Sequence, residues 1–142
     1  MSFEEKSTWI YAVITVLVPG TYFATVIGQL PTIAVTEIAY QPSMLAAIGA
    51  AIVLSIVAHI LVAVASPKEA DKRDERDTGI NRYGEYIGSF VLYAGMLGAL
   101  VLALAGFAHF WIANAIFSTF VLAALTTAAV KIVAYRRGFQ AW

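Results

Sequence analysis

Between Lys6 and Lys68 the chain carries no lysine or arginine, and between Arg82 and Lys131 it carries none again. The only carboxylates inside those stretches are Glu37 and Glu85. A soluble domain spreads cations over its surface. Long runs that are both cation-free and apolar belong in a bilayer, where Lys and Arg collect in the loops of the cytoplasmic side.

Composition supports the same class. Of 142 residues, 61% are hydrophobic, against ~45–50% in soluble domains, and mean hydropathy is +0.79. The length suits one compact helical unit, so residues 1–142 are read as a single transmembrane domain without a separate catalytic domain. Nine basic and nine acidic residues cancel, leaving no global field to recruit nucleic acid directly. The absence of cysteine excludes disulfides, thiol catalysis, iron–sulfur clusters and cysteine zinc sites. The opening residues Met1 to Lys6 lack the cationic region of a secretory signal, so the first helix is expected to be retained.

A spanning helix needs about 20 apolar residues. Four segments qualify: about Trp9 to Gly28, Met44 to Ala65, Tyr86 to Gly106 and Phe110 to Ala134. Pro19-Gly20 lies near the middle of the first, where a missing donor beside a loose turn predicts a kink. The connection from Pro31 to Pro42 is mostly uncharged and is open to two readings, lying at the interface or extending the second helix. Lys6, the Lys68–Arg82 segment and the Lys131–Arg137 end fall on one side after four crossings. The expectation is an all-α polytopic four-helix bundle of two antiparallel hairpins. Both termini and the charged linker, residues 66–85, are expected to be cytoplasmic.

That linker holds the densest charge run, Lys68-Glu69-Ala70-Asp71-Lys72-Arg73-Asp74-Glu75-Arg76-Asp77. Glu69 with Arg73, and Arg73 with Asp77, stand at helical spacing, each pair worth ~0.2–0.5 kcal/mol on an exposed helix. One reading is a solvated, salt-bridged connection that also enforces topology. The other is a docking surface for a cytosolic regulator, carried by Arg73, Asp74, Glu75, Arg76 and Asp77. The alternating signs do not converge as a phosphate or metal site requires.

Asp74-Glu75-Arg76-Asp77, followed by Ile80, Arg82-Tyr83-Gly84 and Ile87-Gly88, resembles a family of small four-helix prokaryotic membrane proteins of unknown function. That family carries an Asp-Glu-Arg-Asp signature before its third helix. The resemblance covers about a third of the chain. It implies a prokaryotic inner or plasma membrane location and, because some relatives are encoded beside small helix-turn-helix regulators, a sensing or regulatory role. It supplies no catalytic or binding residues.

Polar side chains inside the apolar stretches are costly and point to packing or function. Counting outward from the turn near Ala108 puts Glu85 and Lys131 at equal height, which predicts a structural salt bridge across the second hairpin. His59 falls roughly 12 Å inside the cytoplasmic end at the helical rise, with Ser55 one turn away on the same face. The same count sets Thr15, Tyr93, Thr126 and Thr127 at comparable depth. The six residues predict a polar ligand pocket built around a histidine, a side chain that switches near neutral pH. The alternative is a histidine bonded to a neighbouring helix and threonines bonded to their own backbones. His109 lies in the outer turn, ~20 Å from His59 in depth, so the two cannot share a haem, and no cofactor is expected. Gln29, Glu37, Tyr40, Gln41, His109 and Asn114 fall at the outer end, where Glu37 and His109 are too few for a metal site.

Gly84, Gly88, Gly95, Ala99 and Gly106 form a small-residue stripe on the third helix, suited to close helix packing within the chain or in a homodimer. The bulky opposite face, Tyr86, Phe90, Tyr93 and Leu97, is expected to line the pocket. No nucleophile–base constellation is visible, so an enzyme is not expected. Membrane lipids surround such a bundle. The functional expectation is a small sensory or regulatory membrane protein signalling through its linker. The alternative is a transporter or channel subunit with a polar pocket around His59.

Overall fold

A computed structural model describes residues 3–65 and 75–138. Four helices follow in chain order: α1 Phe3–Ile27, α2 Tyr40–Ala65, α3 Glu75–Leu104 and α4 His109–Arg137. Among the described residues there is no strand. All four helices are long and apolar enough to cross a bilayer, so the chain is built as a multi-pass membrane protein.

The helices outrun the apolar segments that announce them. Hydropathy marks what lipid covers, whereas backbone hydrogen bonding continues while good helix formers last. α1 therefore starts at Phe3 instead of Trp9, and α2 at Tyr40 instead of Met44. The largest extension is in α3, which begins at Glu75 instead of Tyr86. Glu75 and Asp77 stand in its first turn, where negative charge complements the helix dipole. The expected linker thus divides: residues 75–85 are helix, and 66–74 lie outside the described residues. α1 remains helical through Pro19 and Gly20.

The connection between α1 and α2 gives its last residues, Tyr40 to Pro42, to the second helix. It folds into successive turns, with Ile33 N donating to Gln29 O at 2.9 Å and Glu37 N to Ala34 O at 2.8 Å. These turns drop Ile38 into a core with Tyr22, Val26, Phe110 and Phe117. The second hairpin closes with a Schellman cap. Gly106, at φ 73°, donates to Ala103 O at 3.1 Å, and Phe107 N donates to Leu102 O at 3.1 Å.

α3 packs most extensively on α4, while α1 packs between α2 and α4. The glycine face of α3 makes the first contact possible. A Cβ on Gly84 would stand 2.6 Å from Lys131 Cγ, one on Gly88 would overlap Thr127 Oγ1, and one on Gly95 would overlap Thr119. The stripe is therefore used inside the chain, and Gly98 beside it meets nothing. α2 has no buried residue and turns most of its surface outward. In the half of the bundle away from the termini, aromatic rings fill the centre. Tyr22 meets Phe117 edge to face at 5.1 Å, and its hydroxyl donates to Asn114 Oδ1 at 2.8 Å. Asn114 Nδ2 in turn donates to Phe110 O at 2.8 Å, so this intramembrane amide is engaged at both atoms.

Candidate functional site

The opposite half, where the helix ends carry their charge, holds a cavity of about 420 Å³, open on one side and lined from all four helices. That volume falls within the range of small-molecule sites, ~300–1,000 Å³. α1 contributes Glu4, Ser7, Thr8, Tyr11 and Ile14, and α2 contributes Ser55, Ala58 and His59. Asn81 and Glu85 come from α3, and Ala124, Thr127, Ala128 and Lys131 from α4.

Helical spacing explains the convergence. Residues 4, 7, 8, 11 and 14 recur at three- and four-residue steps, which places them on one face of α1. Ser55 and His59 are one turn apart on α2, and Asn81 and Glu85 one turn apart on α3. Asn81 Nδ2 donates to Glu4 Oε2 at 3.3 Å, tying the extension of α3 to the start of α1. Phe3 caps His59 edge to face at 5.4 Å. Lys131 Nζ lies 3.4 Å from Glu85 Oε1, the two residues that the hairpin count set side by side. The ammonium side chain is 14% exposed and the carboxylate 73%.

The hydroxyls fall into two groups. Ser and Thr in membrane helices commonly bond back to the carbonyl three or four residues earlier. Thr8 does so to Glu4 O, Thr15 to Tyr11 O, Thr119 to Ala115 O and Thr126 to Leu122 O, each at 2.8 Å. Among the described residues, Ser7, Ser55, His59 and Thr127 line the cavity and make no hydrogen bond, and the Thr127 hydroxyl is set against Gly88 of α3. Ser7 Oγ is fully covered by protein and still has no partner there.

Of the six residues expected to form the pocket, Ser55, His59 and Thr127 line it. Thr15 is buried beside it with its hydroxyl already engaged, and Thr126 is engaged on its own helix. Tyr93 is 64% exposed and points outward, as do Tyr86, Phe90 and Leu97. Counting from a turn fixes height but not azimuth. Once the glycine face of α3 meets α4, the bulky face must turn away from it. The aromatic face expected to line the pocket is therefore turned outward, with Tyr86 and Phe90 edge to face at 5.0 Å.

The expected docking residues also divide. Arg73 and Asp74 lie outside the described residues. Glu75 and Arg76 are exposed on the first turn of α3, and Arg76 Nη2 donates to Tyr135 O at 3.4 Å. Asp77 is buried beside Tyr135. The Arg136 guanidinium stands 5.3 Å over the Trp9 ring, joining both chain ends at this level.

Glu4, Ser7, Thr8, Tyr11 and Asn81 are cavity residues that span counting missed, because it began α1 at Trp9 and α3 at Tyr86. The periodic polar stripe of α1 was the signal that locates them. In the half away from the termini, Asn114 and Tyr40 are used in packing, while Glu37 and His109 are exposed. Set against protein-family models, curated proteins and solved structures, the chain matches none of them.

Proposed function

We propose that the protein is a small membrane sensor. It binds a small polar or amphipathic ligand in the four-helix cavity and transmits occupancy through α3 to the charged segment at its start. The observation that supports this reading is one cavity lined from all four helices, where Ser55 and His59, which make no hydrogen bond, stand with the polar side chains of Asn81, Glu85 and Lys131. Unsatisfied polar groups in an apolar setting are costly, so they favour a ligand that satisfies them.

The relay follows from continuity. Asn81 and Glu85 touch the cavity, and Glu75 and Arg76 stand on the same uninterrupted helix. Displacing the cavity wall therefore displaces the exposed charges. The resemblance of the Asp74–Asp77 run to a family tied to regulators favours the same reading. Conduction is disfavoured because the outer half is filled by Tyr22, Ile38, Phe110 and Phe117.

Hydrogen exchange on the full chain in native-membrane nanodiscs tests the relay. Amides of Glu75 to Arg82 are expected to change protection when bilayer material is stripped away, and Ser55→Phe, which fills the cavity, is expected to remove that change. Identical protection in all three samples would overturn the reading.

A further inference from the structure

Extensive packing joins α3 to α4, α1 to α2 and α1 to α4, and none of it joins α2 to α3. The start of α1 nevertheless connects the two across the cavity. On the α2 side, His59 meets the buried Phe3 ring edge to face at 5.4 Å. On the α3 side, Asn81 Nδ2 donates to Glu4 Oε2 at 3.3 Å, and Glu4 follows Phe3 directly. Glu4, His59 and Asn81 all line the cavity. His59 is exposed and makes no hydrogen bond among the described residues, so its ring is positioned by Phe3 and both of its nitrogens stay open to a proton.

Histidine is the side chain whose charge changes between about pH 5 and 8. The titratable groups that line the cavity with His59 are Glu4 and Tyr11 from α1, Glu85 from α3 and Lys131 from α4. Lys131 Nζ lies 3.4 Å from Glu85 Oε1 and already engages that carboxylate. Asn81 engages Glu4 only with an amide dipole, at a distance beyond the usual range for a donor to a carboxylate. An imidazolium attracts the same carboxylate as a full opposite charge, which acts over a longer range.

We infer that the cavity is regulated by protons: protonated His59 draws the Glu4 carboxylate away from Asn81 and frees the start of α3, which neutral His59 leaves tied to α1. The inference rests on the sensor reading above and names the regulation of its cavity. Phe3 keeps the ring beside the start of α1 in both states, because an aromatic face also attracts a cation. A change on α2 thereby reaches α3 without direct packing between them.

Hydrogen exchange of the full chain in detergent, stripped of bilayer lipid, tests the switch at about pH 5.5 and 7.5, on either side of ordinary histidine titration. After correction for the intrinsic pH dependence of exchange, protection of amides 79–82 is expected to fall about tenfold at the lower pH, as when a hydrogen bond to a charged group is lost. His109→Gln is expected to keep that response and leaves His59 as the one histidine, so its titration can be followed directly by NMR. His59→Gln is expected to hold protection high at both pH values. Glu4→Gln keeps an acceptor for Asn81 without the charge and is expected to do the same, whereas Asn81→Ala is expected to lower protection at both. Unchanged helix content shows that these variants fold. A response that survives His59→Gln, or a His59 titration with no change at amides 79–82, would overturn the switch. The two readings fail separately. If restoring native lipid at pH 7.5 leaves α3 unchanged while the pH response persists, the ligand is overturned and the switch stands; the reverse result overturns the switch alone.

Discussion

Gly88 and Gly98 stand on the same helix and make opposite demands on a side chain. A methyl on Gly88 would overlap Thr127, whereas one on Gly98 meets nothing. Gly88→Ala is expected to destabilise the bundle by about 1–3 kcal/mol, the usual cost of overpacking a tight contact. Gly98→Ala is expected to be neutral or to stabilise by about 0.5–1 kcal/mol through backbone entropy. Equilibrium unfolding in mixed detergent micelles checks both, and equal effects would contradict the packing described. The Glu85–Lys131 pair contributes less than its position suggests. Its carboxylate is 73% exposed, and exposed pairs are worth about 0–1 kcal/mol. Glu85→Gln is therefore expected to leave unfolding within that range, which makes the glycine face, not the ion pair, the lock of the hairpin. Asn114→Leu orphans the Tyr22 hydroxyl and is expected to cost about 1 kcal/mol, as intramembrane hydrogen bonds do. A double-mutant cycle with Tyr22→Phe should return that coupling, and strictly additive effects would contradict it.

At the scale of the element, α3 shows what a sequence can and cannot state. The stretch from Arg82 to Lys131 lacks cations and supplies two helices long and apolar enough to cross a bilayer, and that much is legible. The same logic cannot say where a helix stops, because Glu75 to Glu85 is helical for reasons of propensity and dipole. The turn count brought Glu85 beside Lys131, since height is set by rise alone. It misplaced Tyr93, since azimuth depends on which face the neighbour claims. Thr126 and Thr127 differ for the same reason: they share a height, but only Thr127 lines the cavity, with its hydroxyl set against Gly88. A continuous α3 has a measurable consequence. The chain has no cysteine, so paired labels can be introduced cleanly. Labels at Glu75 and Phe90 are expected to give a narrow distance distribution near 22 Å at the helical rise, and a broad distribution would show the helix broken at the membrane surface.

For the whole molecule, the cation-free stretches established four crossings, and the structure adds how unevenly the bundle is filled. One half is packed with rings around Tyr22, Phe110 and Phe117. The other keeps about 420 Å³ open among Ser7, Ser55, His59 and Thr127. Half of the expected pocket was legible because polar residues within an apolar run stand out. The contribution of α1 was not, because Glu4, Ser7 and Thr8 precede the apolar run that marked its start. The most direct test is an experimental density map of the full chain in native-membrane nanodiscs. The account predicts density in the cavity within hydrogen-bonding distance of Ser55 and His59. A cavity closed by helix movement, with Ser55 bonded back to its own helix, would contradict it.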